Sequence, residues 1–287
     1  MGRFASTVEL YEQYRPPYPA AFFRAVAERL QLSKQHALID LGTGPGLLAL
    51  GFAPYVGRIT GVDPEPAMLA AARAAAERAG VALGLIEGRA EDLPESIGRF
   101  DLVTIGRALH WMDVNALGAL FGRLVAPQGT VAVCASFSAR GSRNAWLDEY
   151  NTARHAWSDE KLWSDSRQGE RAHRDLAIVL EGTGFHVGDT VHTEATHQVS
   201  IADLALRVLT FSPSSPAALG DKIDAMLADV EARLAPFGHN GRLTEIVVSI
   251  AQLAQRKSAM KHRPLACCLA HDLPGKPLHT FPDHALN

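Results

Sequence analysis

The chain has 287 residues, enough for one large domain or for one domain carrying a sizeable insertion. Hydrophobic residues make up 47% of it, so a buried core is within reach and wholesale disorder is excluded. Lys and Arg number 28 against 31 Asp and Glu, a formal net charge of -3. That balance argues against a nucleic-acid partner, because phosphate binding is driven by clustered positive charge. Cys134, Cys267 and Cys268 form neither a disulfide framework nor a zinc-ligand spacing. Residues 1–12 contain no apolar leader, and no apolar run approaches membrane-spanning length. The expectation is a soluble, cytoplasmic protein with no membrane partner.

Residues 1–19 mix aromatic, charged and proline residues and end in Tyr14-Arg15-Pro16-Pro17-Tyr18-Pro19. Paired prolines forbid regular helix there and favour an extended arm. Ala20 to Leu30 reads as an amphipathic helix with Phe22, Phe23, Val26 and Leu30 on one side. From His36 onward apolar runs alternate with helical stretches. Strands are expected at 37–41, 58–63, 83–87, 100–105 and 129–136, and helices at 47–55, 66–79 and 115–125. This alternation predicts an α/β fold, a Rossmann-like doubly wound sheet that is mostly parallel, with helices on both faces.

After Phe137 the alternation stops. Residues 146–182 read as largely helical and contain Trp146, Trp157 and Trp163. Residues 185–199 read as an antiparallel strand pair, 201–211 and 217–234 as helices, and 243–250 as an antiparallel last strand. The expected organisation is a lid arm and helix over 1–35, a ligand-binding core over 36–137, a helical cap with the last core strands over 138–260, and a tail over 261–287.

Asp40-Leu41-Gly42-Thr43-Gly44-Pro45-Gly46 lies directly between a strand and a helix. Glycines let the backbone turn sharply and approach a ligand, and a helix N-terminus offers unpaired N–H groups. Asp63 ends the second strand, 17 residues past Gly46, in range for a carboxylate gripping ribose hydroxyls. Ala90-Glu91-Asp92-Leu93-Pro94 follows the third strand, where a loop can close over a base. Taken singly, each feature also fits a tight turn or a helix cap. At the carboxyl ends of three successive strands they describe a nucleoside-binding crevice.

Two nucleoside ligands compete for that crevice. The dinucleotide fingerprint is G-x-G-x-x-G, whereas here Gly42, Gly44 and Gly46 alternate and Leu47 takes the sixth position. Asp40 has no natural place beside a pyrophosphate and suits a ligand with an ammonium group. S-adenosylmethionine (SAM) has that ammonium and a single carboxylate, so the chemistry favours SAM over NAD.

These residues carry a resemblance. The segments 40–46, Gly61-Val62-Asp63, 90–94 and Phe100-Asp101-Leu102-Val103 resemble the successive motifs of class I SAM-dependent methyltransferases, in the ubiquinone-methyltransferase-like branch. Tyr11-x-x-x-Arg15-Pro16-x-Tyr18-Pro19 and Leu109-His110-Trp111-Met112-Asp113 are similar to segments of small-molecule methyltransferases of the trans-aconitate methyltransferase type. The resemblance covers residues 4–137 well, the later elements loosely and the tail not at all. It implies SAM as cofactor, with Asp40, Gly42, Thr43, Gly44 and Gly46 along its methionine part and Asp63 on the ribose. Pro64 or Met68 would flank the adenine, and Ala90 and Glu91 would meet its edge. Gly106 and Arg107 would stand near the sulfonium, and Tyr11 and Arg15 would close over the cofactor carboxylate. Arg89 departs from the pattern, since relatives often have Asp or Asn there.

The implied reaction places a nucleophilic O, N or C atom of a small metabolite in line with the methyl–sulfur bond, by proximity and exclusion of water. His110 and Tyr11 are the candidate catalytic residues, and Tyr18, His110 and Trp111 the candidate acceptor contacts. His110 either serves as a general base or hydrogen-bonds to backbone beneath the pocket. Trp111 either stacks on the acceptor or fills the pocket wall. The remaining histidines make no convincing metal set, and no metal is expected.

Other readings stay open. The same fold could act on an RNA or protein side chain, although Thr104-Ile105-Gly106-Arg107 is not the Asn-Pro-Pro-Tyr-type motif of amide methyltransferases. A SAM-binding protein that transfers no methyl, as a cyclisation catalyst or partner subunit, is the alternative from another class. A monomer and a homodimer are equally compatible with the sequence.

Overall fold

A computed structural model describes residues 10, 13–164 and 176–256 of the chain. Seven strands form one sheet in the order β3-β2-β1-β4-β5-β7-β6. They are β1 (Ala37–Leu41), β2 (Arg58–Asp63), β3 (Gly84–Glu87), β4 (Phe100–Gly106), β5 (Val125–Ser138), β6 (Phe185–Ser200) and β7 (Arg242–Arg256). The first five run parallel, and β7 pairs antiparallel with both β5 and β6. This is the expected Rossmann-like α/β sheet. The order reverses between β1 and β4, and a crevice opens there at the carboxyl ends of the strands.

Local sequence explains the helices that flank the crevice. Helix α1 (Ala20–Arg29) starts just after Pro19 and buries Phe22, Phe23, Val26 and Ala27. Helix α2 (Leu47–Phe52) follows Gly46, whose φ of 89° only glycine adopts without strain. Helix α3 (Pro66–Ala79) has proline in its first turn, where the missing N–H costs nothing, and stops at left-handed Gly80. Asp113 caps α4 (Val114–Leu124) by accepting from Asn115 N–H.

Beyond β5 the chain builds a second layer of packing. Helices α5 (Leu147–Ala156), α6 (Ile201–Val208) and α7 (Ile223–Leu234) bury Trp146, Tyr150, Leu204, Val208, Met226 and Val230 together. Trp146 therefore belongs to the core of this cap, with its indole N–H donating to Thr244 O at 3.1 Å. Residues 242–246 of β7 pair with β6 alone, because β5 ends at Ser138 opposite Val247. The β6–β7 ribbon thus overshoots the sheet at the crevice end and carries the cap there.

Two sequence expectations are corrected. Residues 185–199 are not a strand pair but one strand, which runs on to Ser200 and pairs along its length with β7. Gly188 and Asp189, turn-forming residue types, sit at an irregularity in the register between Val187 and Thr190 and are absorbed as a bulge. The helix expected over 217–234 is broken into Pro216–Leu219 and α7, because Gly220 takes a φ of 58°. Cys134 is buried in β5, while Cys267, Cys268, His173 and the tail lie outside the described residues. No described helix is long and apolar enough to cross a membrane.

Candidate functional site

The site begins with the turn after β1. Gly42 and Thr43 both donate backbone N–H to Val62 O at 2.9 Å, which folds the turn back against β2. Gly42 has a φ of 68°, and a Cβ there would stand 2.4 Å from Ala108 Cβ. The position therefore excludes any side chain twice over, by conformation and by space.

Asp40 is 1% exposed, yet it is among the residues that line the cavity beside the turn. Oδ2 accepts from the Thr43 hydroxyl and Oδ1 from the Thr104 hydroxyl, each at 2.7 Å. Burial pushes its pKa up to about 6, and the two hydroxyls offset only part of that rise. Asp63 closes the turn from the other side. Its Oδ2 accepts from Gly44 N–H at 2.8 Å and its Oδ1 from Glu65 N–H at 3.0 Å. Burial raises its pKa as well.

The third and fourth strands supply the remaining walls. Glu91 accepts from Asp113 N–H at 2.7 Å and from the Arg89 guanidinium at 3.2 Å, tying the loop after β3 to the start of α4. Burial opposes this, but those donors hold the Glu91 carboxyl below its usual value. Gly106 ends β4 so closely against its surroundings that a Cβ would stand 2.7 Å from Leu48 Cδ1 and 3.6 Å from the Tyr18 hydroxyl. Arg107 adopts a left-handed φ of 57° and sends its guanidinium sideways, donating to Pro16 O and Ser136 O at 2.8 Å.

The resulting cavity has a volume of about 380 Å³. It brings together Tyr18, Asp40, Gly42, Thr43, Gly44, Asp63, Pro64, Met68, Ala90, Glu91, Gly106, Arg107 and Trp111 from the sequence reading. Gly46 lies behind it, at the N-cap of α2 against Ala72. Arg15 faces the cap: its guanidinium donates to Thr210 O at 2.9 Å and stacks 3.8 Å from the centre of the Phe211 ring. His110 stands in the turn after β4, its ring 4.8 Å from that of Trp111, which is 49% exposed at the rim. Tyr11 lies outside the described residues. Among the described residues, no group of three or more His, Cys, Asp or Glu side chains could hold a metal ion.

Thr104 was missed by the sequence reading. It is fully buried and contacts Asp40 because β1 and β4 are paired in register at those two positions. Apolar residues that wall the cavity, such as Leu48, Val62 and Met112, were missed too, since nothing in their type separates them from core.

Known proteins resemble parts of this sequence and share its fold. Residues 38–129 match the family model for a methyltransferase domain. An uncharacterized methyltransferase of Mycobacterium tuberculosis is 30% identical over 146 residues, covering 51% of this chain and 56% of the relative. A ubiquinone biosynthesis O-methyltransferase of Azorhizobium caulinodans is 33% identical over 108 residues, 37% of this chain and 43% of the relative. The chain thus spans about half the length of the curated relatives it matches. A SAM-dependent methyltransferase of Geobacter sulfurreducens, solved with S-adenosyl-L-homocysteine, aligns with a TM-score of 0.53 at 17% identity, over 89% of this chain and 98% of its own. At that identity the likeness is one of fold.

Proposed function

We propose that this protein is a SAM-dependent methyltransferase that acts on a small-molecule acceptor. Asp40 carries the reading. A buried acid lining a crevice at the β1–β4 switch point, with neutral hydroxyls as its hydrogen-bond partners, is built to receive a cation. The α-ammonium of SAM meets that need, whereas a pyrophosphate would be repelled. The matched methyltransferase domain covers the same turn, and the Geobacter protein of similar fold binds S-adenosylhomocysteine.

The residues present fit the cofactor. The Gly42–Gly44 turn, which admits no Cβ at Gly42, would take the methionine part beside Asp40 and Thr43. Asp63 would turn one carboxylate oxygen to the ribose while still accepting from backbone N–H groups. Pro64 and Met68 would flank the adenine, with Ala90 and Glu91 at its edge. Gly106 lines the crevice at the end of β4, where Leu48 leaves no space for a Cβ, and Arg107 braces the arm there. Gly46 shapes the start of α2 behind the turn. When bound, SAM supplies an electrophilic methyl group on a sulfonium.

The chain's own residues orient the acceptor and keep water out. Tyr18 and Trp111 line the crevice and would meet the acceptor, and His110 beside Trp111 would accept the acceptor's proton on a ring nitrogen. Tyr11 is the other candidate in the arm, and Arg15 would act on the cofactor carboxylate only by leaving the Phe211 ring. Orientation can lower the barrier by up to about 7–11 kcal/mol. A general base adds on the order of 10²–10⁴-fold. The small volume of the crevice, about 380 Å³, and the balanced charge favour a small metabolite over a nucleic acid. The ubiquinone O-methyltransferase relative supports the branch suggested by the motifs.

Titration calorimetry with SAM, S-adenosylhomocysteine and NAD tests the reading. It predicts micromolar binding of the first two and none of NAD. Binding of NAD alone would refute it. Incubation with acceptor candidates then separates transfer from mere binding, since transfer yields methylated product and the alternative leaves SAM unchanged.

A further inference from the structure

The part of the arm just before α1, residues 14–17, is held by three of its carbonyl groups. Arg207 Nε donates to Tyr14 O at 2.5 Å, Arg107 Nη2 to Pro16 O at 2.8 Å, and Ser136 Oγ to Pro17 O at 2.6 Å. Pro16 and Pro17 have no N–H, so this segment cannot join the sheet as a paired strand. Its acceptors are instead met by donors from α6, from the loop after β4 and from β5. The arm thereby crosses the strand ends and leaves the Tyr18 ring as one wall of the crevice, under the Arg107 guanidinium at 5.1 Å.

The cap-side donor is itself fixed from behind. Arg207 Nη1 and Nη2 form a fork on Glu245 Oε1 and Oε2 at 2.7 and 2.9 Å, and both residues are buried. Glu245 also accepts from Ser138 Oγ at 2.5 Å, and His197 Nε2 lies 3.1 Å from its Oε2. One carboxylate therefore joins α6, β6, β7 and the end of β5, and it sets the plane of the guanidinium. That plane dictates where Nε points, and Nε points at the arm.

We propose that Arg207 and Glu245 are positioning residues that dock the arm across the crevice and thereby slow release of the bound ligand. The ligand-release part rests on the SAM reading, while the docking part does not. A buried pair of this kind adds little to stability compared with apolar side chains of the same volume. Its directional hold on Tyr14 O is what an apolar pair could not supply.

Arg207→Lys separates position from charge, because an ammonium can neutralise Glu245 without also reaching the arm in the guanidinium's fixed geometry. The double variant Arg207→Met with Glu245→Met removes the charges together, so neither is left buried and unpaired if the first variant fails to fold. In both, chymotryptic cleavage after Tyr14 should quicken by about tenfold or more, the loss expected for one hydrogen bond from a charged donor. Melting of the full-length chain should stay near that of the wild type. Release of S-adenosylhomocysteine, followed by stopped flow, should quicken by a similar factor. Unchanged cleavage after Tyr14 in a folded variant overturns the docking role, as does cleavage that rises only in step with a lower melting temperature. Faster cleavage with unchanged release overturns the effect on the ligand. Failure of the wild type to bind S-adenosylhomocysteine counts against the SAM reading alone, and the cleavage result still decides the docking.

Discussion

Asp40 and Glu245 are buried to the same depth, 1% and 0% exposed, on two halves of one sheet, yet their carboxyls are driven in opposite directions. Burial pushes Asp40 up to about 6, since Thr43 and Thr104 can share its charge but not neutralise it. Burial acts on Glu245 as well, but the Arg207 guanidinium, helped by His197 and Ser138, overcomes it and draws the acid down to about 2. The parallel half thus holds an acid whose charge the protein leaves uncompensated, lining a cavity. The antiparallel half holds an acid that the protein satisfies completely. An unsatisfied buried charge at a crevice marks where a ligand completes the structure, and a satisfied one marks where the fold completes itself.

The largest test of this contrast is Glu245→Ala, which leaves Arg207 charged and buried. Denaturant unfolding should show a loss of about 3–5 kcal/mol. Asp40→Asn should behave in the opposite way. The folded pKa of Asp40 is raised from 3.8 to about 6, so its protonated form favours folding at low pH and that contribution is lost as pH rises through 6. Relative to the Asn variant, the wild type should lose about 3 kcal/mol of stability between about pH 3 and pH 7, at about 1.4 kcal/mol per pKa unit. Glu245 has the reverse slope: its folded pKa is lowered from 4.5 to about 2, so its contribution is present above 4.5 and lost as pH falls toward 2. If unfolding of Asp40→Asn and wild type run parallel across that range, the uncompensated charge is absent.

Smaller effects sharpen the cavity side. Asp63→Ala removes the acceptor for Gly44 and Glu65 N–H and should weaken SAM binding by about tenfold or more, the loss of a hydrogen bond to a charged group. Unchanged affinity by calorimetry would remove the ribose assignment. His110→Ala should lower turnover more than SAM affinity and flatten the pH–rate profile on its acid side. A variant with wild-type activity at every pH would reduce His110 to a packing residue beside Trp111.

The parallel half was legible because its signals are local. β1, β2 and β4 are short, largely apolar runs, and the 40–46 turn fell where the sequence placed it. The cap was not, since its decisive contacts join residues far apart in the chain. Arg207 and Glu245 are 38 positions apart on different elements, and nothing near either one announces the other. Thr104 was hidden for the same reason, its role set by the β1–β4 register. Arg15 shows what motif spacing leaves out: its spacing to Pro16 and Tyr18 fits the pattern, but its stacking on Phe211, a residue 196 positions further along the chain, has no local signal.

Whether Asp40 receives the ammonium of SAM is decided by calorimetry of SAM binding to wild type and Asp40→Asn from pH 5 to pH 7.5. Wild-type affinity should fall as Asp40 takes up a proton below about pH 6, and the Asn variant should bind weakly with no such dependence. Equal affinity of the two proteins, or the same pH profile in both, would contradict that role for Asp40.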